Sequence, residues 1–171
     1  MIKGLSMFSN VGIAETYLKE IGIDIIIANE LDSNRANLYK ELYGKTKMIQ
    51  GDIRDKIDEI IEISLKNKVQ FLIATPPCQG FSIAGRRDYT DDRNDLIHYV
   101  LKAIDKINPE YVVIENVQNF LKHSITYGKY KGSIISVIKR KFSNKYNIEH
   151  GILNAKDYGV PQVRKRAFII M

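Results

Sequence analysis

Cys78 is the only cysteine in the chain, and it stands between Pro76-Pro77 and Gln79-Gly80. Prolines fix the backbone and remove amide donors, so the thiol is expected at a strand end, presented to a loop rather than packed within an apolar face. A lone cysteine more often fills a core as a small apolar group, but core positions seldom carry such neighbours. The expectation is therefore a nucleophile, competent as its thiolate. Glu115-Asn116 closes an apolar run further along, and Arg164 and Arg166 alternate within Gln162-Val163-Arg164-Lys165-Arg166. Either guanidinium would favour the thiolate if folding brought it near Cys78; a solvated basic stretch is the plainer alternative.

A second group of residues points to ligand binding. Glu30 lies 18 residues past Gly12, near the spacing at which an acid accepts hydrogen bonds from ribose hydroxyls. The intervening turn, Phe8-Ser9-Asn10-Val11-Gly12, is poor in glycine and lacks the G-x-G-x-x-G pattern, so it reads equally as an ordinary strand-to-helix connection. Glu30 alone fits NAD as well. Asp52 adds an acidic acceptor suited to an adenine amino group, which favours S-adenosylmethionine; capping of the following helix is its alternative role.

The elements that must position these groups alternate. Residues 4–8 form a short apolar run, and residues 11–21 place Ala14, Tyr17, Leu18 and Ile21 at helical spacing, with Gly22 closing the helix. Residues 23–29 are rich in β-branched side chains and read as a buried strand ending at Glu30; Asp32 or Ser33 then caps a helix reaching Tyr43. A third strand spans residues 47–50, followed by a helix with the stripe Ile57, Ile60, Ile61 and Leu65. A fourth strand covers residues 69–74 and is stopped by the prolines; residues 79–92 read as a long mobile loop. A helix over residues 93–107, a strand over 111–115, a helix over 134–142 and strands over 146–153 and 166–170 complete the pattern. Strand-then-helix alternation predicts an α/β fold with a doubly wound, mostly parallel, Rossmann-like sheet and helices on both faces. In such sheets ligands sit beyond the carboxyl ends of the strands. Five successive strand ends carry small or functional groups here, at residues 8–12, Glu30, Asp52, Pro77-Cys78 and Glu115-Asn116.

Composition is permissive. A chain of 171 residues with 44% hydrophobic content can bury one core, so a single domain over residues 1–171 is expected. The longest apolar runs fall far short of the ~20 residues of a membrane span, and the N-terminus does not read as a secretory signal; a cytoplasmic protein is expected. One cysteine and three scattered histidines give no metal-ligand spacing, so no metal is expected. A formal charge of +6 suits a polyanionic partner without proving one.

Taken together, Pro76-Pro77-Cys78-Gln79-Gly80-Phe81-Ser82, Glu115-Asn116-Val117, Asp91-Asp92-Arg93-Asn94-Asp95-Leu96 and the run from Asn154 to Arg166 resemble the motifs of DNA (cytosine-5) methyltransferases over nearly the whole chain. The resemblance implies covalent catalysis, with Cys78 attacking carbon 6 of cytosine while carbon 5 takes a methyl group from S-adenosylmethionine, leaving S-adenosylhomocysteine. It implies that a protonated Glu115 engages N3 and the exocyclic amine, that Arg166 contacts the carbonyl oxygen with Arg164 in the same pocket, and that Asn116 braces it. Gln79, Ser82 and Asn116 would touch substrate. Phe8, Ser9, Asn10, Val11, Gly12, Glu30, Leu31, Asp52, Ile53 and Pro77 would line the cofactor pocket. The partner would be double-stranded DNA with a flipped cytosine, and the loop with Arg86 and Arg87 would close over it.

Two features depart from the family pattern. Ser6, Asn10 and Ile13 stand where aspartate and two glycines are common. The family's recognition region and closing segment are not found before Met171, so the chain is expected to methylate little by itself and to need that region or a second subunit. An inactive remnant or non-catalytic partner, an NAD-dependent dehydrogenase and an RNA cytosine methyltransferase are the competing readings.

Overall fold

The computed structural model describes residues 1–77 and 96–171. The described residues fall into two compact units, the first made of residues 1–76 and 96–112, the second of Pro77 and residues 113–171.

In the first unit, β1 (Ile2–Met7), β2 (Ile23–Glu30), β3 (Lys47–Gln50) and β4 (Phe71–Ala74) run parallel in the order β3-β2-β1-β4. β1 buries four consecutive residues, Gly4 to Met7, and β4 buries all four of its own. Such uninterrupted burial follows when helices cover both faces of a parallel sheet. α1 (Ser33–Leu42) starts at Asp32, whose carboxylate accepts from the Arg35 amide. α2 (Ile53–Asn67) starts at Asp52, whose carboxylate accepts from the Arg54 amide. α3 (Leu96–Ile107) buries seven of its twelve residues and packs on α2, where Lys102 Nζ pairs with Asp58 at 2.7 Å.

β5 (Tyr111–Val117) begins in the first unit and carries the chain into the second. There, β9 (Lys165–Ile170) pairs antiparallel with both β5 and β8 (Glu149–Asn154). A hairpin of β6 (Ser124–Tyr127) and β7 (Tyr130–Ser133) packs on α4 (Ile134–Phe142). The fold is thus α/β, with a mostly parallel seven-stranded sheet, as the alternating sequence pattern predicts.

Several elements differ from expectation. Residues 11–21 do not form one amphipathic helix; they form two short 3-10 turns, Ile13–Glu15 and Leu18–Ile21. Thr16 Oγ1 donates to the carbonyl of Ile13 at 3.0 Å, a local bond that competes with helix propagation. The expected stripe is consequently outward, with Tyr17 and Ile21 both above 70% exposed, and Glu15 is buried in its place. In α2 the buried row ends on Ser64, leaving Leu65 half-exposed; Ser64, seven residues past Ile57, keeps to the face that Leu65 leaves. β4 starts at Phe71 rather than 69, and β8 at Glu149 rather than 146. The β6–β7 hairpin went unread, although Tyr127-Gly128-Lys129-Tyr130 has the two-residue loop with leading glycine that such turns use; Gly128 has φ +57°. The start of the helix expected from residue 93 and the loop over 79–92, with Arg86 and Arg87, lie outside the described residues.

Candidate active site

The turn after β1 is braced by the tip of β2, by Tyr43 at the end of α1 and by Thr75 past β4. Phe8 and Asn10 both adopt left-handed backbone, at φ 60° and 52°, a conformation that costs non-glycine residues about 1–3 kcal/mol and persists only where its surroundings hold it. They do so here. The Ser9 amide and hydroxyl both donate to the Asn29 carbonyl, the Asn10 amide donates to Glu30 Oε2 at 2.9 Å, and Tyr43 Oη donates to the Gly12 carbonyl at 2.7 Å. Gly12 sits at φ +85° with the Tyr43 ring where a Cβ would fall, so this turn tolerates no side chain there. Thr75 Oγ1, just past β4, donates to the Phe8 carbonyl.

Glu30 is only 7% exposed, and its other oxygen accepts from the Asp32 amide at 2.9 Å. Two backbone donors therefore fix the carboxylate, each taking one lone-pair direction of an oxygen that has two. Acceptor capacity remains for a ligand. Leu31, the next residue, is 62% exposed. Ile53 is buried in the α2 row. Asp52 caps α2, and both its oxygens accept from the Arg54 guanidinium, with the closest approach at 2.8 Å. Hydrogen bonds from Arg54 hold its carboxyl below the ordinary aspartate value. The capping role that the sequence left open is thus realised.

In the second unit, the antiparallel register places Glu115 opposite Phe168 and Val117 opposite Arg166. Alternation along strands then puts Glu115, Val117, Arg166 and Phe168 on one face. Arg166 Nε donates to Glu115 Oε1 at 2.9 Å, both side chains being about one-quarter exposed. Burial raises the Glu115 carboxyl above the ordinary glutamate value, while the charges of Arg166 and then Arg164 pull it down. The net is upward, so Glu115 keeps its proton to higher pH than a solvated glutamate does. These residues line a cavity of about 320 Å³ with Leu153, Ala155, Tyr158 and Phe168, whose mostly apolar walls account for the dominance of desolvation.

Arg164 is held through its backbone: its amide donates to Asn154 Oδ1 and its carbonyl accepts from the Ala155 amide, both at 3.0 Å. Asn154, buried at the end of β8, was not chosen from sequence; its place ten residues before Arg164 in the same motif was the available signal. Asn116 is 3% exposed and points to the face opposite Glu115, where its Oδ1 accepts from the Val117 amide. Its side chain therefore does not line the Glu115 cavity. Pro77 is exposed. Cys78, Gln79 and Ser82 lie outside the described residues. A second cavity of about 320 Å³, lined by Glu15, Leu18, Ile25, Tyr43 and others, contains none of the residues selected from sequence.

Comparison with known proteins shows which family the chain resembles. The chain is 47% identical to the type II methyltransferase M1.HgaI of Avibacterium volantium, over 98% of this chain and 49% of that protein. It is 32% identical to M.AquIA of Picosynechococcus, a type II methyltransferase, over 98% of this chain and 71% of that one. The chain thus spans about half the length of M1.HgaI and a larger share of M.AquIA. A crystal structure of an E. coli prophage protein assigned as a DNA modification methyltransferase superposes with a TM-score of 0.76 at 29% identity, covering 99% of this chain and 46% of that one. The S. pombe Dnmt2 methyltransferase shares the fold, with a TM-score of 0.74 at 22% identity, covering 99% of this chain and 48% of that one. The family model for C-5 cytosine-specific DNA methylases matches residues 2–171, and the chain belongs to that family.

Proposed function

We propose that residues 1–171 form one cofactor-binding catalytic domain that methylates carbon 5 of cytosine in double-stranded DNA, with Cys78 as the nucleophile. The observation that carries this reading is the meeting of Glu115 and Arg166 at 2.9 Å in an apolar-walled cavity, with the Glu115 carboxyl raised by burial. A neutral carboxylic acid beside a guanidinium offers donors to N3 and the carbonyl oxygen of a cytosine ring, the atoms on which charge accumulates when carbon 6 is attacked.

In the proposed sequence, the Cys78 thiolate bonds to carbon 6 and the electron pair of the 5,6 double bond moves towards carbon 5 and N3, where Glu115 donates. Carbon 5 then forms its bond to the methyl carbon. S-adenosylmethionine supplies that methyl group when bound, and S-adenosylhomocysteine is left. Removal of the carbon-5 proton by a base restores the double bond and expels Cys78 as thiolate. Gln79 and Ser82 contact the substrate, Arg164 sits beside Arg166, and Asn116 acts from the far face of β5 by bracing the strand.

The first unit fits the cofactor's polar and apolar groups. Glu30 has spare acceptor directions for ribose hydroxyls, Leu31 exposes an apolar side chain beside it, and the strained turn over residues 8–12 puts backbone polar groups at the same strand tips. Ser9, Val11, Asp52, Ile53 and Pro77 complete the proposed contacts. The target base must leave the duplex to be reached, and base readout is assigned to a further region or second subunit. The proposed site of action is the cytoplasm.

The test is trapping on duplex DNA containing 5-fluorocytosine, with a recognition region or partner supplied. Fluorine cannot leave carbon 5 as a proton does, so the Cys78 bond persists and a covalent adduct accumulates. Cys78→Ser is expected to abolish the adduct; its retention would overturn the assignment.

A further inference from the structure

Between Glu115 and Glu149 the chain carries no acidic residue, yet it contains Lys122, Lys129, Lys131, Lys139, Arg140, Lys141 and Lys145. The rest of the chain has nineteen cations against twenty acids, so the whole positive surplus resides in this one stretch. The stretch is folded. It comprises the β6–β7 hairpin, α4 and the turns that flank them, all within the second unit.

Two of these cations meet at one ring. Arg140 Cζ lies 5.5 Å and Lys129 Nζ 5.6 Å from the centre of Tyr130, both within cation–π range. Arg140 Nη1 also donates to the Lys131 carbonyl at 3.3 Å. Ser133 caps α4 by accepting from the Ser136 amide, and α4 packs on both hairpin strands. Lys122, Lys129, Lys131, Lys139, Arg140 and Lys145 are exposed. Three basic residues in the last turn of α4 complement the helix dipole, but that role does not account for Lys122, Lys129, Lys131 or Lys145.

We propose that this hairpin and helix form a second, sequence-independent contact to the phosphate backbone of duplex DNA, separate from the Glu115 cavity. The choice of DNA over another polyanion rests on the methyltransferase reading. A membrane surface fits less well, because interfacial binding needs exposed apolar side chains beside the cations, and no large hydrophobic residue from 116 to 148 is exposed. Phosphate contacts position a protein on the duplex without reading sequence. Lysines carried on a packed hairpin and helix would hold DNA in register while readout is made elsewhere.

The test compares the chain with a Lys129→Gln, Lys131→Gln, Lys139→Gln variant for binding to a non-cognate duplex across salt concentrations. Each phosphate contact contributes a slope of about 0.9 in log K against log salt, so the slope is expected to become shallower by roughly 2–3, with at least a tenfold loss of affinity at low salt. A Lys19→Gln, Lys40→Gln, Lys66→Gln variant loses the same charge from other surfaces and is expected to keep a wild-type slope. An unchanged slope in the first variant, an equal change in both, or a loss confined to phosphatidylserine vesicles would each overturn the proposal. Trapping on 5-fluorocytosine separates the two claims: an adduct with an unchanged slope removes the surface alone, and an altered slope without any wild-type adduct removes the methylation reading while the phosphate contact stands.

Discussion

Replacing Arg166 by alanine removes the counter-ion of an acid in an apolar-walled cavity. The pair is 2.9 Å long, with side chains 24% and 23% exposed, which places it between exposed pairs worth about 0–1 kcal/mol and buried ones that cost about 3–5 kcal/mol to break. A loss of about 1–3 kcal/mol follows, or roughly 3–10 °C in Tm for a chain of this size. The pH dependence has a definite sign. Burial raises the Glu115 carboxyl and Arg166 lowers it, so the variant's Glu115 ionises at still higher pH. A raised glutamate contributes stability that is full below the ordinary glutamate pKa and fades as pH rises through the folded one. At acid pH both proteins hold a neutral Glu115 and the gap in Tm is small; it widens as pH rises and Glu115 ionises, because the variant then holds a partly buried charge without its counter-ion. Calorimetry from pH 4 to 8 on the wild type, Arg166→Ala, Glu115→Gln and the double variant measures this. The coupling energy should reach about 1–2 kcal/mol once Glu115 is ionised. Additivity within about 0.3 kcal/mol, or a gap that does not change with pH, would refute the reasoning.

Other substitutions probe the first unit. Glu30→Gln trades a carboxylate fixed by two amides for a group with one acceptor oxygen, and S-adenosylmethionine affinity by calorimetry should fall roughly 10–100-fold, the cost of a lost charge-assisted hydrogen bond. Gly12→Ala puts a Cβ into the Tyr43 ring at φ +85°; thermal unfolding should show a loss of about 1–3 kcal/mol. Glu15, 4% exposed, has its carboxyl raised chiefly by burial, which hydrogen bonding from the Ser6 side chain offsets only in part. Wild-type stability should therefore decline as pH rises through its folded pKa, and Glu15→Gln should flatten that decline in Tm measured between pH 5 and 8.

Much of this molecule was determined locally. Asp32 and Asp52 carry side chains that satisfy the first amides of a helix, so α1 and α2 begin where the sequence says they should. The apolar runs of β1, β2 and β4 are buried because a parallel sheet covered on both faces has no polar side. Glu115 was legible as an acid at a strand end because that end is read from its neighbours in sequence, whereas Cys78, singled out by its proline flanks, lies outside the described residues. Other features required the tertiary structure. That Glu115 meets Arg166 depends on the register of β5 against β9, and a slip of one residue would turn Arg166 to the face occupied by Asn116. The same alternation, which sequence cannot anchor without the pairing partner, put Asn116 out of the cavity. Residues 11–21 have helical spacing but no helix: turn hydrogen bonds and two left-handed residues just before them leave only 3-10 turns, and burial falls to Glu15 instead of the apolar stripe. Spacing proposes a face, but long-range packing chooses which face is buried.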